Sequence, residues 1–301
     1  MEMQMKMLTR TIGAVALSLA FAAPAAFAAD TADLAPKYKT GDKATYKFDL
    51  TRNEKTVIAS TTSPLSRVRT ITQSATFDMK VTEASESGTT ITLTLKDATC
   101  KVQDPEKSLE FSSSKPADDS DAKNELVKAL RPVVGATLTF KFDAQGNVLS
   151  CSTDAELVKA SQFTQVAEQL VSDQWGRMRW STVFFPKAGN STVKAGETWK
   201  TSCPMTGAAI GKFQADMDYT VKSVSPKQTI VEMKGAFTME PDPKKEKVAK
   251  TSSVSGSMAF DPTARVVTTS ETNEKMEMQV SAQGIAVDRD TDTQVKITRA
   301  N

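Results

Sequence analysis

The chain has 301 residues, with 38 Lys and Arg against 36 Asp and Glu, no histidine, and a formal net charge of +2. A balance so near neutral gives no electrostatic reason to expect nucleic acid or an acidic membrane surface as partner. The missing histidine removes the commonest general base, the commonest zinc ligand and every Ser-His or Cys-His nucleophile arrangement, and no Gly-rich phosphate loop is present.

Lys6 and Arg10 frame the start of an apolar run from Ile12 to Phe21, followed by an alanine-rich stretch ending Ala26-Phe27-Ala28. These are the charged, apolar and small-residue parts of a secretory leader, with cleavage expected after Ala28. The run is shorter than the roughly 20 residues of a membrane span, and no later stretch is long and apolar enough to be one. Position 29 is Ala, not the Cys of a lipoprotein leader. The mature chain is expected to be soluble and secreted or periplasmic. Losing the leader removes two cations and one anion, which leaves +1, and the remainder is long enough for one large β domain or two smaller units.

The first β unit (29–152) opens on Lys39-Thr40-Gly41-Asp42, a glycine turn feeding the alternation of Ala44, Tyr46, Phe48 and Leu50. Alternation at period two predicts a half-buried strand. A longer hairpin follows, with Ala75, Phe77, Met79 and Val81 on one arm and Ile91, Leu93 and Leu95 on the other. The apolar phase then slips by one before Ala98, Cys100 and Val102, as a β-bulge would make it. Loops are expected at Arg52 to Ser66 and Ser112 to Asp121. A short helix is expected over Asp121 to Arg131, stopped by Pro132, with Leu126, Val127 and Leu130 inward. Thr137 to Cys151 is a second hairpin, turning at Asp143 to Asn147.

A linking segment (153–186) carries the main helix, expected over residues 154–179. Thr153 and Glu156 have capping-box spacing, and Phe163, Val166, Ala167, Leu170, Val171, Trp175 and Met178 share one face. So wide an apolar stripe must be covered, and the sheet is the nearest cover.

The second β unit (187–301) repeats the first. Lys194-Ala195-Gly196-Glu197 feeds Trp199, Thr201, Cys203 and Met205; Ala215, Met217, Tyr219 and Val221 match the long hairpin; and Met258 and Phe260 lead through Asp261-Pro262 to Val266-Val267. The order of devices is the same twice, which predicts a duplication. The alternative is that amphipathic hairpins resemble one another by construction.

Few residues suggest chemistry. Asp288, Asp290 and Asp292 alternate, but a calcium loop needs Gly and Glu where Thr293 and Arg299 stand, so they read as a solvated strand face. Asp143 and Asp261 sit at matched turns, where Asp serves the backbone. Three cysteines in an oxidising compartment leave one unpaired, and Cys100 with Cys151 is the expected disulfide. Methionine concentrates in the second unit, at Met205, Met217, Met233, Met239, Met258, Met276 and Met278. Such residues fill cores, and they also line surfaces that accept varied apolar partners.

With the leader, the paired glycine turns and the Phe-Asp hairpins, the chain resembles a family of uncharacterised secreted bacterial proteins, many of them planctomycete. Val193-Lys-Ala-Gly-Glu-Thr-Trp199, just after Phe184-Phe185-Pro186, carries most of the resemblance. It implies a β-rich fold similar to the periplasmic lipoprotein carriers, in which a curved sheet wraps helices and holds acyl chains. It brings no catalytic residues.

The expectation is therefore a mainly β protein, a curved antiparallel half-barrel in two related halves, as one sheet or two, with one central amphipathic helix and one short helix. No reaction, cofactor or metal is expected. The first reading is a binder or carrier of a hydrophobic ligand such as a lipid or acyl chain, with Trp175, Met217, Met233, Met258, Met276 and Met278 as candidate lining. The competing reading is a structural or protein-binding component of the cell envelope.

Overall fold

The computed structural model describes residues 31–59, 65–118, 121–153, 164–207, 211–239, 246–282 and 285–300, and the expected leader lies outside them. After a two-residue strand β1 (Ala32–Asp33) come β2 (Lys43–Ala59), β3 (Leu65–Ser85), β4 (Gly88–Gln103), β5 (Ser108–Ser112), β6 (Thr137–Asp143) and β7 (Val148–Thr153). The second unit supplies a short β8 (Thr192–Val193), then β9 (Thr198–Gly207), β10 (Gly211–Val224), β11 (Thr229–Met239), β12 (Glu246–Asp261), β13 (Val266–Ala282) and β14 (Ile285–Ala300).

Twelve strands form one sheet, in the order β7, β6, β4, β3, β2, β14, β13, β12, β11, β10, β9, with β5 paired to β4 outside that path. Every ladder is antiparallel, and the two units join where β14 pairs with β2 from Ala300↔Thr45 to Ala286↔Ala59. One curved, unclosed sheet is thus the answer to the question of one sheet or two. β1 and β8 pair separately. The expected loop at Arg52 to Ser66 is largely strand, because the long β14 gives the end of β2 a full ladder of partners.

The two halves match in hydrogen bonds as well as in order. Gly41 N–H donates to the Val81 carbonyl at 2.8 Å and Val81 N–H returns to Asp42 at 2.9 Å; Gly196 and Val221 do the same at 2.8 Å, with Glu197 accepting at 2.9 Å. Both glycines have positive φ, +94° and +82°, a region that L side chains avoid. Register shifts follow at matched places, between Val81 and Glu83 and between Val221 and Ser223. The Phe-Asp hairpins share a further shift, before Phe142 and before Phe260. Asp143 and Asp261 each accept backbone N–H groups of their own turns, as the structural reading of these carboxylates expects.

Inward residues make the core. Tyr46, Phe48, Phe77, Ile91, Leu93, Leu95, Phe140 and Phe142 are all buried. The predicted bulge is present, since Thr76 and Phe77 pair with Asp97 and Leu95 and leave Lys96 as the extra residue. In the second half, Gly256 lies where a Cβ would be 2.1 Å from the Glu271 carbonyl oxygen. A strand glycine here lets neighbouring backbone approach as the sheet curls.

The short helix is α1 (Glu125–Leu130), capped by Asn124 and flanked by 3-10 turns at Asp121–Lys123 and Arg131–Val133. Pro132 sits at the start of the second of these turns, where its missing N–H costs nothing. The expected 154–179 helix is instead two, α2 (Thr164–Val171) and α3 (Asp173–Phe184); its first residues lie outside those described. Ser172 breaks it. Its backbone is extended, and its hydroxyl accepts from Trp175 N–H at 3.2 Å as a new N-cap. α3 runs on through Gly176 to Phe184.

Candidate functional site

α3 lies in the opening of the curved sheet and touches both edge strands, β7 and β9, together with β6 and β13. Its sequence serves two sides. Gly176, Trp180, Val183 and Phe184 are buried toward the first half. Trp180 meets Phe77 at 5.2 Å, Tyr46 at 5.6 Å and Phe184 at 6.0 Å between ring centroids. Gly176 lies where a Cβ would be 3.3 Å from the Cys151 sulfur. On the other side Trp175 packs toward Phe213 at 6.5 Å, and Met178 is half-buried against the second half.

Between that second side and the β9–β10 edge runs a groove of about 470 Å³. Met178, Met217, Trp199, Tyr219 and Phe185 form its apolar wall, with Arg177, Lys187 and Lys200 among its polar residues. The indole of Trp199 stacks on Tyr219 at 5.2 Å between ring centroids. Met178, Thr182, Met217 and Tyr219 also border a smaller space beneath α3, about 30 Å³, room for about one water.

The six candidate lining residues divide. Met217 lines both spaces and Met233 the smaller one. Trp175, Met217, Met276 and Met278 meet in a second apolar cluster with Met205, Phe213, Phe237 and Val254. Met258 belongs to the main core and is 1% exposed.

The expected Cys100–Cys151 disulfide is not formed, and all three cysteines are free thiols. Register explains it. Cys151 pairs with Phe140, which pairs with Ile91, so Cys100 lies nine residues farther along β4, about 30 Å at roughly 3.4 Å per residue. A disulfide needs Cα atoms within about 7 Å. Burial pushes the thiols of Cys100 and Cys151 up to about 12, and raises that of Cys203. Cys203 lines the groove.

A polar layer on the concave face was not legible as such in the sequence. Arg52 and Glu54 continue the inward phase of Tyr46, Phe48 and Leu50, and Glu274 shares the phase of Met276 and Met278. Glu54 pairs with Arg69 at 3.0 Å and Arg289 at 3.2 Å. Burial opposes its ionisation, but the two guanidiniums outweigh that and hold its pKa below the ordinary carboxylate value. Arg179, from α3, reaches both oxygens of Glu274 at 3.5 Å and lies over the Trp175 ring at 4.4 Å. Arg52 donates to the Thr293 hydroxyl at 3.1 Å. The signal available in the sequence was this phase, charged residues falling on an apolar stripe.

Asp290 and Asp292 lie on β14, as the strand-face reading expects. Among the described residues no group of acidic or cysteine side chains is arranged to hold a metal ion, and no helix is long and apolar enough to cross a membrane.

Among solved structures, lipovitellin, described for its lipid–protein interactions, matches with a TM-score of 0.46 and 11% identity over 88% of this chain. This chain spans about a quarter, 26%, of that one. A DUF1329 family protein from Desulfovibrio piger follows at 0.17 and 9%, covering 81% of this chain and 83% of its own. An outer membrane channel from Pseudomonas putida matches at 0.21 and 7%, over 88% and 97%. At such scores none of these bears on the ligand. No curated protein matches the sequence. A sequence profile does match residues 86–284, across the end of the first unit, the helices and most of the second, and by it the chain belongs to DUF6263, a family of unknown function.

Proposed function

We propose that this protein binds or carries a hydrophobic ligand, a lipid or acyl chain, in the groove between α3 and the β9–β10 edge, and that it catalyses no reaction. The observation that carries the reading is the groove itself. Its volume of about 470 Å³ falls within the roughly 300–1,000 Å³ of small-molecule sites, and its lining is mixed, with Met178, Met217, Trp199, Tyr219 and Phe185 alongside Arg177, Lys187, Lys200 and several hydroxyl side chains. Methionine on two of its walls, Met178 and Met217, can re-pack around chains of different shape. The same two residues border the smaller space beneath α3, so their movement would extend the groove inward.

The test is titration with a fluorescent long-chain fatty acid. Met217→Trp should fill the groove, reduce affinity at least about tenfold, and leave thermal unfolding within a few degrees of wild type. Uptake undiminished by that substitution would remove the groove from the account.

A second reading, a protein-binding component of the envelope, rests on the edge strand β7, where Leu149 is 65% exposed. An unpaired edge with an exposed apolar side chain is a template for association. Self-association lost in Leu149→Lys, with no acyl-chain uptake by wild type, would favour it.

A further inference from the structure

A second space, of about 480 Å³, lies beside the end of α3, between residues 35–38 of the N-terminal segment, the β3–β4 turn and the β6–β7 turn. Three residues line both it and the groove: Gly146, Phe185 and Lys187. Of these, Gly146 has no side chain to act as a wall, and Lys187 is tied to Glu197 at 2.7 Å. The ring of Phe185 is therefore the bulk of the partition.

Neighbouring elements fix that ring. Phe185 is the first residue past α3, with extended backbone, and its N–H donates to the Ser181 carbonyl at 2.8 Å. Its ring centroid lies 4.4 Å from that of Phe142 and 5.7 Å from that of Tyr38. A Cβ at position 146 would be 2.6 Å from its Cδ1, so the absence of a side chain there is what lets the ring lie on the turn. Phe184, beside it, is buried in the core. Phe185 is only half-buried, and its uncovered part faces the two spaces it lines.

We infer that Phe185 sets the length of chain that the groove accepts. An acyl chain running past Met178 and Met217 stops against the ring, and removing the ring joins the two spaces and roughly doubles the room. This rests on the ligand reading above and adds to it a chain-length limit and the residue that imposes it.

The experiment displaces a bound fluorescent fatty acid from the mature chain with saturated fatty acids of about 8 to about 20 carbons. Each further methylene taken from water should tighten binding roughly three- to fourfold until the chain reaches the ring, where wild-type affinity should level off. A fatty acid about four carbons past that point should bind Phe185→Ala at least about tenfold more tightly than wild type, because part of the added chain is then buried. Phe185→Leu keeps an apolar side chain against Phe142. It should shift the plateau the same way by less, and it carries the test should Phe185→Ala fail to fold. Ala144 is exposed and lines the second space but not the groove, so adding Ala144→Trp to either variant should refill that space and restore the wild-type plateau. A Phe185 that only supports the fold would, when replaced, weaken binding of every length alike. That profile, affinity rising without a plateau in wild type, or a plateau that Ala144→Trp does not restore would each overturn the partition and leave the groove reading standing. Binding at no length would overturn the groove reading as well.

Discussion

Trp180→Ala should separate the structural side of α3 from its ligand side. Trp180 is 2% exposed and meets Phe77, Tyr46 and Phe184 at 5.2, 5.6 and 6.0 Å between ring centroids. Truncating a buried Trp to Ala costs about 3–5 kcal/mol, and loss of favourable ring pairs puts this site toward the upper end. Against a total stability of about 5–15 kcal/mol that is a large share. At roughly 2–4 °C per kcal/mol for a chain of this size, melting should fall by about 8–20 °C. Met178→Ala is the control. Met178 is half-buried, so it should cost only about 1–2 kcal/mol, yet it lines the groove and should weaken acyl-chain uptake. Urea denaturation followed by circular dichroism measures both, with ligand titration on each folded variant. A loss below about 1 kcal/mol for Trp180→Ala, or equal losses for the two, would refute the division of the helix into two sides.

Acid should loosen the attachment of the N-terminal segment. Burial works against ionisation of Asp33, but hydrogen bonds from the Ser191 hydroxyl, the Ala35 amide and Arg265 outweigh it and bring its pKa down to about 2 from 3.8. A carboxylate with a depressed folded pKa stabilises above its unfolded pKa and loses that contribution as pH falls through the folded one. The difference in stability between wild type and Asp33→Asn should therefore shrink as pH falls from about 4 toward about 2; a constant difference across that window would contradict the pairing. Thiol titration in denaturant without reductant should count three thiols per chain, and the native protein should react slowly at pH 8 because burial raises all three. A count of one would restore a disulfide.

Much of this fold was legible because its devices are local. Gly41 and Gly196, Phe142-Asp143 and Phe260-Asp261, and the phase slip before Ala98 each mark turns or bulges that depend on a few adjacent residues. Non-local facts were hidden. Cys100 and Cys151 both sit on strands of the first unit, and only the register of β4, β6 and β7 puts them far apart. Ser172 looked like one polar position in a helical stripe, although a serine can serve as cap as readily as interior. The arginine layer was the largest omission. Arg52 to Ser66 reads as a loop until β14 and β3 lie on either side of its first residues, and the partners of Glu54 come from residues 69 and 289. Four of the candidate lining residues, Trp175, Met217, Met276 and Met278, do gather in one cluster, because alternation put the methionines on one face before the partner was known. Met258 followed the same pattern into closed core.

The ligand itself tests the account most directly. Protein exported to a bacterial periplasm and purified without detergent should carry a stoichiometric acyl or isoprenoid species by native mass spectrometry, recovered by solvent extraction, and Met217→Trp should lack it. A clean apo mass, with no uptake of added fatty acid or phospholipid, would contradict the carrier reading and leave the groove without an occupant.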